Sequence, residues 1–66
     1  MLQISYAPLW EVLAARAMKK VDLTAVISPA ALKKLQNHEA VSLNVLMKIS
    51  EDLDVPIERI VEFRRV

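Results

Sequence analysis

Three prolines and no glycine stand in this chain of 66 residues, so every turn and helix end falls on residues that resist the left-handed backbone region. The prolines then become the main punctuation. A proline ring fixes φ near the helical value and lacks the N–H that a first-turn residue would leave without a partner. Pro8, Pro29 and Pro56 each stand just ahead of a segment with helical spacing.

The stretch SPAALKKLQN, Ser28 to Asn37, carries the fullest pattern. Ser28 is a good N-cap and Pro29 a good first helical residue. At about 100° per residue, Ala31, Leu32 and Leu35 share one face, and Ala30, Lys33, Lys34 and Asn37 share the opposite one. Asn37 tolerates the left-handed conformation that often ends a helix. The spacing predicts a helix pinned from behind by leucines, with a basic, short-side-chained outer face.

The other segments read less evenly. In PLWEVLAARA, residues Leu9, Val12, Leu13 and Arg16 form one stripe, with Glu11 and Ala15 opposite. KKVDLTAVI alternates Val21, Leu23, Ala25 and Ile27 with Asp22 and Thr24, a strand-like period with β-branched residues. A short helix there stays open. From Ser42, another N-cap candidate, Val45, Leu46, Ile49 and Leu53 form a buried stripe while Asn44, Lys48 and Glu51 face water. From Pro56, the residues Ile57, Ile60 and Val61 are expected inward. LQISY and VEFRRV alternate apolar and polar residues, as half-buried strands do. The pattern predicts a single mainly α domain over residues 1–66, a helical bundle whose two ends pair as a small sheet.

This length lies near the lower limit for one core without a staple. Without cysteine, no disulfide framework or thiolate metal site is available, which fits a reducing, cytoplasmic compartment. Apolar runs of a few residues are far short of a membrane span, and MLQISY has no basic region ahead of an apolar stretch, so neither a membrane anchor nor a signal peptide is expected. The net charge of +1 hides an asymmetry. From Arg16 to His38, five bases (Arg16, Lys19, Lys20, Lys33, Lys34) stand against one acid, Asp22. From Glu39 onward, four bases stand against six acids. A basic middle points mildly to an anionic partner.

Groups for catalysis are scarce. His38 is the one histidine, with no serine or cysteine spaced to use it, and is read as an exposed loop residue. Glu51, Asp52 and Asp54 are read as a solvated face, since a calcium loop wraps its ion and often needs glycine at the bend. A glycine-rich phosphate loop cannot exist here. The expectation is a non-enzyme with no cofactor, no metal and no small-molecule substrate.

Double-stranded DNA suits the chain better. A recognition helix is short, backed by apolar residues, and small or basic where it meets the groove. SPAALKKLQN has this form, and Lys19, Lys20, Asn37 and His38 could flank it with phosphate contacts. The rival reading is that Lys33 and Lys34 only solubilise an exposed face of a protein-interaction module.

The order of segments resembles the small phage-repressor-like (Cro/cI-like, XRE) helix-turn-helix regulators, over almost the whole chain. ISYAPLWEVLAARAMKK is similar to that group's ISYxPLWxxLxxxxMKK opening, ISPAALKKL to its recognition segment, and VSLNVLMKISEDLDVPIERIVEF to its closing VSLxVLxxIxxxLDxxxxDIVEF. The resemblance implies a compact five-helix, repressor-like DNA-binding domain of a transcriptional regulator, whose third helix, Pro29 to Gln36, reads the major groove in a sequence-specific way. It implies base-facing positions at Ser28, Pro29, Ala30, Lys33 and Lys34, and phosphate-contacting positions near Lys19, Lys20, Asn37 and His38. It also implies Leu32 and Leu35 as the buried side of that helix. Between Leu23 and Ser28 the chain departs from the pattern: about two residues are missing, and Val26 stands where a glycine belongs. Either the turn is rebuilt or the second helix is shortened, and a regulator so altered could have lost strong DNA binding.

The ends leave two readings open. A short sheet of LQISY and VEFRRV could supply the self-complementary patch of a homodimer. Alternatively the ends pair within one chain and cap the core, with Phe63 buried inside.

Overall fold

The computed structural model describes residues 1–66. Strand β1 (Leu2–Ser5) leads into helix α1 (Ala7–Ala15), followed by a 3-10 helix (Lys20–Ala25), α2 (Pro29–Gln36), α3 (Leu43–Leu53), a 3-10 turn (Ile57–Arg59) and β2 (Glu62–Arg65). The structure is mainly helical with a short sheet, but it has three α-helices and two short 3-10 segments, not the five full helices implied by the resemblance. β1 and β2 pair antiparallel, with Leu2 opposite Arg65 and Ile4 opposite Phe63.

The apolar stripes converge on one cluster of thirteen buried residues. Leu9 and Leu13 enter from α1, Leu32 and Leu35 from α2, Leu46, Ile49 and Leu53 from α3, and Leu23, Ile27 and Ile60 from the connecting segments. Serine caps set two of the helix starts. Ser28 Oγ accepts from Ala31 N–H at 3.2 Å and Ser42 Oγ from Val45 N–H at 3.3 Å, each satisfying a first-turn donor that would otherwise lack a partner.

Helix ends are where a chain without glycine meets its constraint. Ala17, His38 and Asp54 take positive φ of 55°, 56° and 53°. At the end of α1, Met18 N–H returns to the Leu13 carbonyl and Ala17 N–H to that of Ala14. At the end of α2, Glu39 N–H returns to Lys34 and His38 N–H to Leu35. Both are the paired 6→1 and 5→2 bonds that close a helix through one left-handed residue. The residue that turns left-handed after α2 is thus His38, not Asn37, whose φ is −92°. The reason is positional: the closing bonds put the left-handed residue one place beyond the C-cap, and Asn37 is the cap itself.

One other expectation, for Ile57, is corrected, and two readings left open are narrowed. KKVDLTAVI forms no strand; Lys20–Ala25 is a 3-10 helix whose start is tied by Lys19 N–H donating to Asp22 Oδ2 at 2.8 Å. Its apparent alternation arises because only Leu23 is fully buried there, while Val21 is exposed. Ile57 is exposed rather than inward, since a single 3-10 turn points Ile60 into the core and leaves Ile57 at the rim. The termini pair within the chain, yet Phe63 is 66% exposed, because the two-stranded ribbon projects past the core and only Ile4 and Val61 at its base pack against it.

A left-handed alanine costs about 1–2 kcal/mol, partly offset by glycine's larger loss of backbone freedom on folding. Ala17→Gly is expected to stabilise the domain by about 0.5–1 kcal/mol, and Ala14→Gly, inside α1, to destabilise it by about 1 kcal/mol. Urea denaturation of the two variants checks the sign of each.

Candidate nucleic-acid interface

The central element is α2, and its two faces differ as the spacing requires. Ala31, Leu32 and Leu35 are buried, while Ser28, Pro29, Ala30, Lys33, Lys34, Gln36, Asn37 and His38 are exposed. Neither Lys33 nor Lys34 is paired with an acid, the one ion pair of the molecule being Arg64–Glu62 on the ribbon. The outer face therefore presents two free ammonium groups beside small side chains at the helix start. Ser28 Oγ is occupied as an acceptor by Ala31 N–H but keeps its own O–H to donate.

The turn ahead of α2 is rebuilt without a left-handed residue. Val26 has φ −124° and ψ −17°, a conformation valine adopts readily. Val26 and Ile27 N–H both donate to the Leu23 carbonyl, at 3.0 Å each, and Ile27 drops into the core at 6% exposure. The preceding 3-10 helix rises about 2.0 Å per residue against about 1.5 Å in an α-helix, so its six residues span what eight α-helical residues would.

The flanking candidates fall into two groups. Lys19 and Lys20 are exposed at the start of the 3-10 helix, and the Lys20 ammonium stands 4.6 Å above the centre of the Trp10 ring, a cation–π contact that restrains its position. Asn37 and His38 follow α2 directly. Asn37 Nδ2–H donates to Glu39 Oε2 at 3.4 Å.

His38 is more than a loop residue. Its Nδ1 accepts from Tyr6 N–H at 3.2 Å, and its ring stacks on that of Tyr6 with centroids 6.2 Å apart. The Tyr6 ring is buried and its hydroxyl donates to the Glu39 carbonyl at 2.7 Å. Burial raises the phenol above its ordinary value of 10.0, opposed by a backbone hydrogen bond. The residue before α1 thereby holds the residues after α2, a link between positions 32 and 33 apart in sequence. Sequence spacing carries no signal for it beyond the presence of a tyrosine at the end of the alternating LQISY segment.

Glu51, Asp52 and Asp54 are exposed, with Asp54 serving as the left-handed end of α3. No helix is long and apolar enough to cross a membrane.

With this geometry in view, the comparisons with known proteins agree with it. The family described as the Cro/C1-type HTH DNA-binding domain matches residues 8–64. Among solved structures, the chain is similar to the crystal structure of the transcriptional regulator VanUg (form II), at 39% identity and a TM-score of 0.93. That alignment covers 98% of this chain and 89% of the other. No curated protein matches at a significant level.

Tyr6→Phe is expected to cost about 1 kcal/mol, the net worth of one hydrogen bond. Because the phenol is raised in the folded state, the unfolded chain ionises first. The parent should therefore lose stability as pH rises through about 10 relative to Tyr6→Phe, which carries no such group. Denaturant midpoints at neutral pH and above pH ~10 measure both effects.

Proposed function

The chain belongs to the Cro/C1-type helix-turn-helix DNA-binding domains, and from that membership we propose that it is a transcriptional regulator that binds specific sites on duplex DNA by laying α2 in the major groove. The observation that carries this is the outer face of α2, with unpaired Lys33 and Lys34 beside short side chains and a core of leucines behind. The helix is about 12 Å long at 1.5 Å per residue, suited to a groove about as wide.

The side chains divide by what they can recognise. Lys33 and Lys34 can donate to guanine O6 and N7 or to phosphate, while Ala30 and Pro29 can only touch a thymine methyl. Ser28 adds one hydroxyl donor. Lys19, Lys20, Asn37 and His38 stand at both ends of the corner, where they set register on the backbone rather than read bases. With few bidentate readers, discrimination rests on a small number of base pairs per half-site, and a second copy is needed to lengthen the site.

The protein acts as a homodimer in this reading. Leu2 and Phe63 are 60% and 66% exposed on one face of the ribbon, an apolar tip that a two-fold related copy can cover. Two half-sites about one helical turn apart then match the two copies of α2. A second reading, a module that binds protein instead, has one observation in its favour: Leu43, Met47 and Ile57 are exposed together along the outer side of α3.

Duplexes selected from a random pool separate the two readings. Binding should be strongly salt-dependent, and Lys33→Ala with Lys34→Ala should flatten the slope of log affinity against log salt by about 0.9 for each phosphate that the lysines neutralise, with melting unchanged. An unchanged slope removes both lysines from the interface. Absence of binding at any salt favours the protein module.

Sedimentation equilibrium at tens of micromolar addresses the dimer. The intact chain is expected to run as a dimer and Phe63→Ser as a folded monomer. A monomeric parent rules the dimer out, and a dimeric Phe63→Ser moves the interface off the ribbon.

A further inference from the structure

The two faces of the terminal ribbon differ in chemistry. Leu2, Ile4, Phe63 and Arg65 lie on one, and Gln3, Ser5, Glu62 and Arg64 on the other. Gln3, Ser5 and Arg64 of the polar face border an open cavity of about 450 Å³, lined also by Ile4, by Ala7 and Trp10 of α1, and by Asn37 and His38 after α2. Helix-turn-helix residues thus make only part of this cavity; the ribbon makes the rest.

Its walls are rich in donors. Tyr6 N–H donates to His38 Nδ1, so the neutral imidazole carries its proton on Nε2 and keeps that N–H free. Arg64 donates its Nε–H to Glu62 Oε1 at 2.6 Å. This bond holds the guanidinium along the ribbon and leaves its terminal NH₂ groups available, the fork that suits phosphate oxygens. Gln3, directly opposite Arg64 in the pairing, adds an amide. The Lys20 ammonium lies over the Trp10 ring and is not itself part of the cavity lining. Of the nearby acids, Glu62 accepts from Arg64 and Glu39 from Asn37, and a phosphate in the cavity shares Arg64 with the Glu62 carboxylate through the terminal NH₂ groups.

We propose that this cavity seats a phosphate of the DNA backbone flanking the bases that face α2, with Arg64 and His38 as its main donors. The ribbon then serves two partners at once, a second copy on its apolar face and the duplex on its polar face. The proposal rests on the DNA-binding reading above and extends that interface to Gln3 and Arg64 of the terminal ribbon. Duplex DNA, rather than a free anion, is the occupant because Asn37 and His38, which line the cavity, directly follow α2.

Arg64→Gln and Arg65→Gln remove the same charge from opposite faces of the ribbon and make a matched pair. Arg64 and Arg65 are exposed, so both variants should melt like the parent. On a selected duplex with several flanking base pairs, Arg64→Gln is expected to flatten the salt slope by about 0.9 and Arg65→Gln to leave it unchanged. A neutral methylphosphonate placed at each flanking position in turn should weaken the parent at one position and leave Arg64→Gln indifferent there. Equal losses from the two arginine variants would mean a diffuse field and overturn the site. So would an unchanged Arg64→Gln slope on a duplex where Lys33→Ala with Lys34→Ala is flattened, which leaves the α2 reading standing. A parent that binds no duplex overturns both.

Discussion

Tyr6 holds the molecule's parts in register. Its ring is 1% exposed in the core, its N–H is bonded to the His38 ring, and its hydroxyl is bonded to the Glu39 carbonyl. The same residue is the N-cap of α1 and the first residue after β1. Through it, the ribbon, the start of α1 and the end of α2 become one rigid junction. A buried polar tip satisfied by backbone is directional in a way that leucine packing is not. It ties the segment that follows α2, and with it His38 and Glu39, to the start of α1.

The absence of glycine is managed by the same device at each helix end. One residue turns left-handed, and backbone bonds close around it. After α2 that residue is His38, and its ring is held by Tyr6, so the strain of a left-handed histidine is offset by a contact that no glycine could make. After α1 the residue is Ala17, an alanine with no side-chain hydrogen-bonding group, where the strain has no visible compensation. The turn before α2 avoids the problem altogether, by stretching the preceding helix into 3-10 form and keeping Val26 at negative φ.

The extent of legibility in the sequence follows from what each feature depends on. The bounds of α2, its serine cap and its two faces are local properties of ten residues, and the spacing of Leu32 and Leu35 against Lys33 and Lys34 states them directly. The stripe of α3 is legible for the same reason. The 3-10 character of Lys20–Ala25 is not, because apolar residues at alternate positions suit a strand until the core fills around Leu23 alone. Pattern places Ile57 inward and leaves Phe63 open, but the exposure of both depends on how far a one-turn helix and a two-stranded ribbon reach over a small core. The role of His38 is illegible because its partner lies at Tyr6, and no local pattern joins them. Of the interface, the outer face of α2 can be read from spacing, whereas the cavity formed with Gln3 and Arg64 exists only once the ribbon is folded beside it.

In the proposed interface the ribbon gives so small a chain more than one task. Strand alternation sends apolar Leu2 and Phe63 to one side and polar Gln3 and Arg64 to the other, so two surfaces arise from eight residues. Their separation depends on register, since a slip by one residue would exchange the faces. The most direct test of DNA binding through α2 is a titration of isotope-labelled protein with its selected duplex, followed by amide chemical shifts. The largest changes are expected from Ser28 to Lys34, with a second set at Lys19, Lys20, Asn37 and His38. Changes confined to Leu43, Met47 and Ile57 on the far side of α3 would contradict it.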